Sequence, residues 1–201
     1  MTSFTASIPL QQPSHPSASA EAATGATHLA LLNGEILLET ASHSAWGGAV
    51  TARMYLPAAR SQVWQQLTDY PKWVHFFPNL TRSEVIASIP GGKGLARKGK
   101  RLYQVARKAV FMFSAQVEIY LRVFEIAHHS TWQQIQFFME QGTFKDFSAD
   151  LKLQDYGQGT LLTYSVRATP AFPVPSAVVQ EAMKLDLPDN MRQMRRVICQ
   201  S

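Results

Sequence analysis

The feature that most constrains the fold is an alternation of apolar and mostly polar residues over 111–125, FMFSAQVEIYLRVFE. Apolar side chains occupy every second position, and polar residues such as Gln116, Glu118 and Arg122 lie between them. Because successive side chains of a strand point to opposite faces, this pattern predicts a long strand with one buried face. That face consists of Phe111, Phe113, Ala115, Val117, Ile119, Leu121 and Val123.

Other segments of the chain also show a period of two and are separated by turn signals such as Gln141-Gly142. One of these segments, VTARMYL, comes much earlier in the chain than the rest and ends at Pro57. Consecutive strands with short connections pair antiparallel, so the later strands are predicted to form a meander. The predicted strands besides 111–125 are residues 50–56, 82–89, 97–108, 132–139, 144–154 and 160–168.

The last segment, residues 176–199, changes to a helical period. Its apolar residues recur at spacings of three and four, which predicts one long helix with an apolar stripe. The stripe contains Val179, Met183, Leu187, Met191, Met194 and Ile198.

A dense group of aromatic residues lies in WQQLTDYPKWVHFFPNL, residues 64–80. Helical spacing is interrupted at Pro71 and ends at Pro78, so the stretch predicts two short helices. A core helix needs neither this aromatic density nor these breaks. A bent lid over an apolar cavity would account for both.

Together these elements predict an α+β fold. We expect a curved antiparallel sheet wrapped around a long C-terminal helix, with two short helices after the first long strand. Such a sheet leaves a cavity between its concave face and the covering helix, and the short helices would close the mouth of that cavity.

The N-terminal residues are rich in Ser, Thr, Ala and Pro and show no hydrophobic period. Residues 1–28 are therefore predicted to be a disordered tail, and residues 29–201 to form the ligand-binding domain. The turn signal Asn33-Gly34 predicts a short hairpin or an edge strand at the start of that domain.

Charge and cysteine content bear on the cellular compartment of the protein. All 19 Lys and Arg residues follow residue 52, together with 11 of the 14 acidic residues, a net charge of +8. Cys199 is the single cysteine, so no internal disulfide can form, which fits a reducing compartment. Since no secretory signal is recognisable and no apolar run is long enough to span a bilayer, we expect a cytoplasmic protein, alternatively one peripheral to a membrane.

The segment GLARKGKR, residues 94–101, resembles a phosphate-binding loop but has Arg101 where Ser or Thr must reach Mg²⁺. The segment that follows is strand-like, so nucleotide binding is not expected. With Lys93, these residues form either a solvated hairpin or a surface that attracts the anionic headgroups of a membrane beside the cavity mouth. We expect no nucleic-acid partner, and we expect a monomer.

Three segments resemble a known family. Residues 63–80 resemble the "VW..LTDY..W..F.PN" segment of cyclase/dehydrase-type proteins, whose relatives include coenzyme Q-binding proteins. Residues 142–166 resemble the family's "G.F..F.G.W.L.....GT.L.Y.V", and LPDNMRQMR resembles its ending "L..NL.ALR". The resemblance covers residues 46–200 and implies the helix-grip fold of the START-like (SRPBCC) superfamily. Ala149-Asp150-Leu151 replaces the family's common Gly-Arg-Trp, so the surface of that strand differs.

The resemblance implies binding or transport of a bulky hydrophobic molecule, such as an isoprenoid quinone, a lipid or a polyketide-like compound. A cyclase/dehydrase-type enzyme using the same cavity is the alternative, and a role in protein interaction is a third. The expected cavity residues are Trp73, Phe76, Phe77, Phe113, Val117, Ile119, Ile135, Phe137, Phe147, Tyr164, Met183 and Leu187.

No pair of acidic or histidine residues matches the catalytic positions of true aromatase/cyclases. If the protein is an enzyme, the candidate acid/base residues are Tyr103, Arg107, Glu118 and Tyr164. The six histidines include no pair at positions i and i+4, and one cysteine cannot build a metal cage, so neither a metal nor a cofactor is expected.

Overall fold

The computed structural model of the chain describes residues 18–91, 98–110, 113–127 and 130–200. Within that part, eight strands form one antiparallel sheet in the order β1-β2-β8-β7-β6-β5-β4-β3. The strands are Ile36–Ser44 (β1), Gly47–Leu56 (β2), Leu80–Ile89 (β3), Gly99–Val110 (β4), Phe113–Ile126 (β5), Trp132–Gly142 (β6), Phe144–Tyr156 (β7) and Gly159–Pro170 (β8). The predicted α+β class and the meander from β3 to β8 are confirmed.

The helices of the described part lie at its two ends and between β2 and β3. They are Ala18–Leu32 (α1), Arg60–Leu67 (α2), Trp73–Phe76 (α3) and Ser176–Cys199 (α4), and a 3-10 turn, Tyr70–Lys72, joins α2 to α3. None of these helices is both long and apolar enough to cross a membrane.

The sheet order explains why two short helices follow β2. Strand β2 lies next to one edge of the sheet, whereas β3 forms the opposite edge. Residues 57–79 must therefore cross the open end of the curved sheet, and a single straight helix could not follow that path. Pro71 lies in the 3-10 turn, where the helical path bends, and Pro78 follows the end of α3. Both positions are ones at which proline interrupts a helix.

Helix α4 packs against the concave face of the sheet. Leu187, Met191, Met194 and Ile198 of its apolar stripe are buried, at 6% exposure or less. Together with inward-facing residues of the strands they form one hydrophobic core, as the helical period predicted.

The described part of the chain begins with a helix that the sequence pattern does not indicate. Residues 18–28 of the predicted tail belong to helix α1, whose residue Leu31 is buried. Because the segment before Asn33 is helical, the turn does not close a hairpin, and β1 is an edge strand instead. Gly34 permits the turn through its positive φ of 88°, and its carbonyl accepts a hydrogen bond of 2.7 Å from Arg195 Nη1. The division of the chain at residue 28 stays a prediction.

Candidate functional site

Two neighbouring cavities lie between α4, α3 and the concave face of the sheet. The first has a volume of about 200 Å³ and extends toward the N-terminal half of α4. The second has a volume of about 170 Å³ and extends toward the junction of α3 and β3. The lining residues are Phe77, Tyr164, Val166, Met183, Asp186, Leu187 and Asn190 in the first, and Trp73, Phe77, Asn79, Leu80, Gln104, Ala106, Tyr164 and Asn190 in the second.

Phe77, Tyr164 and Asn190 line both cavities and therefore form the partition between them. The ring centroids of Phe77 and Tyr164 are 6.2 Å apart, and their planes are inclined at 63°. This tilted contact is a favourable arrangement for two aromatic rings. We expect a change of the Phe77 rotamer to join the two chambers.

The local sequence places Phe77 at this partition. Helix α3 ends at Phe76, and the backbone of Phe77 is extended, with φ −120° and ψ 103°, as expected for a residue before proline. Its N–H still donates to the carbonyl of Trp73 at 3.1 Å. The Phe77 ring thus stands between Trp73, whose centroid is 5.3 Å away, and Tyr164.

Tyr164 presents a hydroxyl group to the cavities from the middle of β8. The residue is 7% exposed, and burial raises the pKa of its phenol well above the usual value. It therefore stays neutral and able to donate or accept a hydrogen bond at physiological pH. No other residue of the described part forms a hydrogen bond with this hydroxyl.

Four further polar residues line the chambers. Gln104 is 8% exposed and donates from Nε2 to Ser83 Oγ at 3.1 Å, which fixes its side chain. Asn79 and Asn190 have side-chain amides without a hydrogen-bond partner among the described residues. Asp186 is half-buried on α4, one helical turn from Asn190.

The structure brings together five of the twelve predicted ligand-binding residues around the chambers, namely Trp73, Phe77, Tyr164, Met183 and Leu187. Of the others, Phe76 belongs to α3, and the rest belong to strands of the sheet. Phe76, Ile119, Ile135 and Phe137 are buried in the core, and Val117 and Phe147 are half-buried. Val117 pairs with Ala106, which lines the second chamber. Phe113 belongs to β5, and its side chain lies outside the described part.

Three of the four candidate acid/base residues lie on the other face of the sheet. Tyr103 and Arg107 alternate with Gln104 and Ala106 along β4, so they point away from the chambers. Tyr103 donates its hydroxyl proton to Glu118 Oε2 at 3.1 Å on this convex face. Only Tyr164 of the four is placed to contact a molecule in the chambers.

Sequence reasoning missed several lining residues that share a face with predicted ones. Asp186 and Asn190 follow Met183 by three and seven positions, so the helical period places all three on one side of α4. Gln104 occupies an inward position of the alternating strand β4. All three missed residues, Asp186, Asn190 and Gln104, are polar residues on an otherwise apolar face, so the apolar period alone does not indicate them.

Lys98, Lys100 and Arg101, the described basic residues of the segment, line neither chamber. Lys100 lies at the start of β4, whereas Ala106 is near its end. Lys100 Nζ forms an ion pair of 2.6 Å with Glu125, and Arg101 pairs with Glu140. Lys93 and Arg97 lie outside the described residues.

A separate cavity of about 380 Å³ lies at this end of the sheet and is lined by residues that include Ile89, Lys98, Lys100 and Glu125. Glu125 also accepts a hydrogen bond of 2.7 Å from the hydroxyl of the buried Tyr70. Because Pro90 and Lys98 of this cavity flank a segment outside the described part, residues 92–97, we assign no site to it.

Comparison with known proteins supports the assignment of the fold. The model of a family described as "Polyketide cyclase / dehydrase and lipid transport" matches residues 56–195. No curated protein sequence matches the chain.

Several solved structures have a similar fold. Human STARD10 has a TM-score of 0.64 at 12% identity, over 94% of this chain and 82% of that protein. A STAR-related lipid transfer protein from Xanthomonas axonopodis has a TM-score of 0.63 at 12% identity, over 81% and 92%. The Zhui aromatase/cyclase from a Streptomyces species has a TM-score of 0.53 at 11% identity, over 82% and 92%. At such identities the likeness establishes the fold alone, which is the START-like fold that the resemblance implied.

Proposed function

The chain belongs to the polyketide cyclase/dehydrase and lipid transport family, and we propose that it binds and carries a hydrophobic small molecule in the chambers around Phe77 and Tyr164. The observation that carries this proposal is the position of the chambers. They lie between α4 and the concave face, and most of their lining residues are apolar. Each CH₂ group that a ligand buries there contributes about 0.8 kcal/mol.

The small number of ionisable groups in the chambers favours binding and transport of a ligand over the cyclase/dehydrase alternative. Among the described lining residues these are Tyr164 and Asp186. Tyr103, Arg107 and Glu118 cannot reach a ligand there from the convex face. A similar fold occurs both in a lipid transfer protein and in an aromatase/cyclase, so the fold itself does not decide between the two activities.

The size of the chambers bears on the class of ligand. Pockets for small molecules usually have volumes of about 300–1,000 Å³, and each chamber is smaller than that. A single ring, such as the head of a quinone or part of a polyketide, fits a chamber as it stands. A long isoprenoid or acyl chain requires the Phe77 ring to move so that both chambers are occupied.

Contact with an anionic membrane through the basic segment around Lys98 and Lys100 remains part of the proposal. The ion pairs of Lys100 and Arg101 reduce the charge available to lipid headgroups. Sedimentation with anionic vesicles should therefore show weak binding that high salt removes. Binding that is absent at low salt, or that salt does not change, would contradict this part.

The proposed function is tested by mass spectrometry of small molecules that co-purify with the intact chain. The control is Ala106→Leu, which fills the second chamber from β4. We expect an apolar compound with the unmodified chain and much less of it with the variant. Equal amounts with both proteins, or no compound and no binding of added apolar probes, would contradict the proposal.

A further inference from the structure

The side-chain amide of Gln104 is anchored through its nitrogen inside the protein. Gln104 lies at an inward position of β4, is 8% exposed and lines the second chamber. It is paired with Ser83 of the edge strand β3, and its Nε2 donates to Ser83 Oγ at 3.1 Å. Because Ser83 is itself only 5% exposed, this contact holds the amide in the interior with its nitrogen turned toward β3.

The oxygen of the same amide has no donor. On the side away from β3, Gln104 is paired with Ile119, whose side chain has no hydrogen-bonding group. No described residue donates to Gln104 Oε1. Within the described part, the side-chain polar atoms that lack both a partner and accessible surface belong to Arg195. Gln104 Oε1 is therefore accessible, and the cavity that its side chain lines is the second chamber.

The other uncharged polar groups of this chamber can match either a donor or an acceptor of a ligand. The Tyr164 hydroxyl can donate or accept, and no described partner fixes the amides of Asn79 and Asn190. The Gln104 oxygen, in contrast, can only accept. A ligand that covers this oxygen without offering a donor leaves a buried acceptor unsatisfied, which is unfavourable. A ligand with a hydroxyl group at this point supplies the missing hydrogen bond.

We propose that the second chamber selects molecules that present a hydrogen-bond donor, a hydroxyl or an N–H group, to Gln104 Oε1. Ethers and ketones of the same shape, which can only accept, bind more weakly. A phenol, an alcohol or a hydroquinone is then preferred to the matching ether, ketone or quinone. This inference rests on the proposed function, since it names a feature of the ligand that the same cavities bind.

The test compares 4-propylphenol with its methyl ether, 4-propylanisole, as competitors of the fluorescent probe N-phenyl-1-naphthylamine on the intact chain at pH 7. We expect the phenol to displace the probe at a concentration about tenfold lower than the ether. Burial of apolar surface alone would favour the ether, which is the more apolar of the two compounds. A preference for the phenol therefore cannot come from hydrophobicity.

Two variants separate the effect of the amide oxygen from the smaller size of the phenol. Gln104→Met removes the acceptor at nearly the same side-chain length and should abolish the preference. Gln180→Met is the matched control, because Gln180 Nε2 donates to Ser176 Oγ at 2.8 Å and the residue lines neither chamber. The control variant should keep the preference of the unmodified chain.

The outcomes separate this inference from the proposed function. Equal or tighter binding of the ether to the unmodified chain would overturn the inference and leave the proposed function standing. A preference that persists in Gln104→Met, with folding checked by thermal unfolding, or that is lost in Gln180→Met as well, would also overturn it. If Gln104→Met does not fold, Ser83→Ala decides, because it frees the amide to turn and an unchanged preference would contradict the inference. Failure of the probe and of both compounds to bind would overturn the proposed function and the inference together.

Discussion

The Phe77 ring contacts the Tyr164 ring at a centroid distance of 6.2 Å, across the boundary between the two chambers. One residue comes from the lid that crosses the open end of the sheet, and the other from a central strand. We therefore expect this contact, together with Asn190, to keep the two chambers separate.

Phe77→Ala should join the chambers. The ring is half-buried, so we expect a loss of about 1–3 kcal/mol in the free energy of unfolding, less than for a fully buried phenylalanine. Affinity for long-chain ligands should rise relative to single-ring ligands, as measured by probe displacement. Phe76→Ala is the control, because Phe76 is fully buried in the core and lines neither chamber. Phe76→Ala should lower the free energy of unfolding by about 3–5 kcal/mol without changing ligand preference. If both variants changed ligand preference alike, the idea that loss of the Phe77 ring joins the chambers would be contradicted.

Ala106→Leu should fill space in the second chamber and weaken ligand binding while the protein keeps a cooperative unfolding transition. Ala149→Leu places the same side chain on the same face of the sheet but in the packed core, where Ala149 is 7% exposed. Overpacking there should cost about 1–3 kcal/mol. Urea unfolding and probe binding of both variants provide the comparison. A larger loss of stability in Ala106→Leu than in Ala149→Leu would show that Ala106 lies in packed core and does not line a chamber.

Removal of a tyrosine hydroxyl should change the stability of the protein little at Tyr164 and clearly at Tyr70. In Tyr164→Phe the lost hydroxyl has no hydrogen-bond partner in the described part, so stability should change by less than about 0.5 kcal/mol while binding of alcohol ligands weakens. In Tyr70→Phe the lost hydroxyl is a donor to Glu125, and stability should fall by about 1–3 kcal/mol. A large loss of stability in Tyr164→Phe would show that its hydroxyl serves the fold.

Stability should decrease at alkaline pH because of the buried tyrosines. Burial raises the pKa of Tyr164 and of Tyr70, the latter also through Glu125, so in the folded state both keep their protons above pH 10. In the unfolded chain they ionise near pH 10, so the stability that they contribute below this pH is lost as the pH rises above it. The loss approaches about 1.4 kcal/mol per pH unit for each tyrosine. Urea unfolding between pH 8 and pH 11 should give a shallower decrease for Tyr164→Phe, and equal slopes would rule out this contribution.

The sequence predicts most of the fold because its two periods are clear. The alternation along β5 and the stripe from Met183 to Ile198 each identify one buried face, and the prolines at 71 and 78 place the breaks of the lid. The alternation cannot distinguish packed core from cavity wall, since both are apolar on the same face. Leu162 is therefore in the core while Val166, equally apolar and on the same face of β8, lines a chamber. That difference depends on the distance between α4 and each position of the strand, which cannot be predicted from a local sequence pattern.

The helix Ala18–Leu32 could not be predicted from periodicity. Its described exposed positions include Gly25, Thr27 and His28 but also Leu29 and Leu32, so polar and apolar residues are mixed and no apolar stripe indicates a helix. The location of Lys100 and Arg101 at the start of β4, away from Ala106, likewise depends on strand direction in the sheet rather than on composition.

The central claim is that a hydrophobic ligand occupies the chambers around Phe77 and Tyr164. Its most direct test is photo-crosslinking of the intact chain with a diazirine-bearing apolar alcohol, followed by peptide mapping. We predict labels within residues 73–80, 164–166 and 183–190, which line the chambers, and loss of these labels in Ala106→Leu. Labels confined to residues 88–90, 98–100 and 123–125, or no label that unlabelled alcohol can compete away, would contradict the claim.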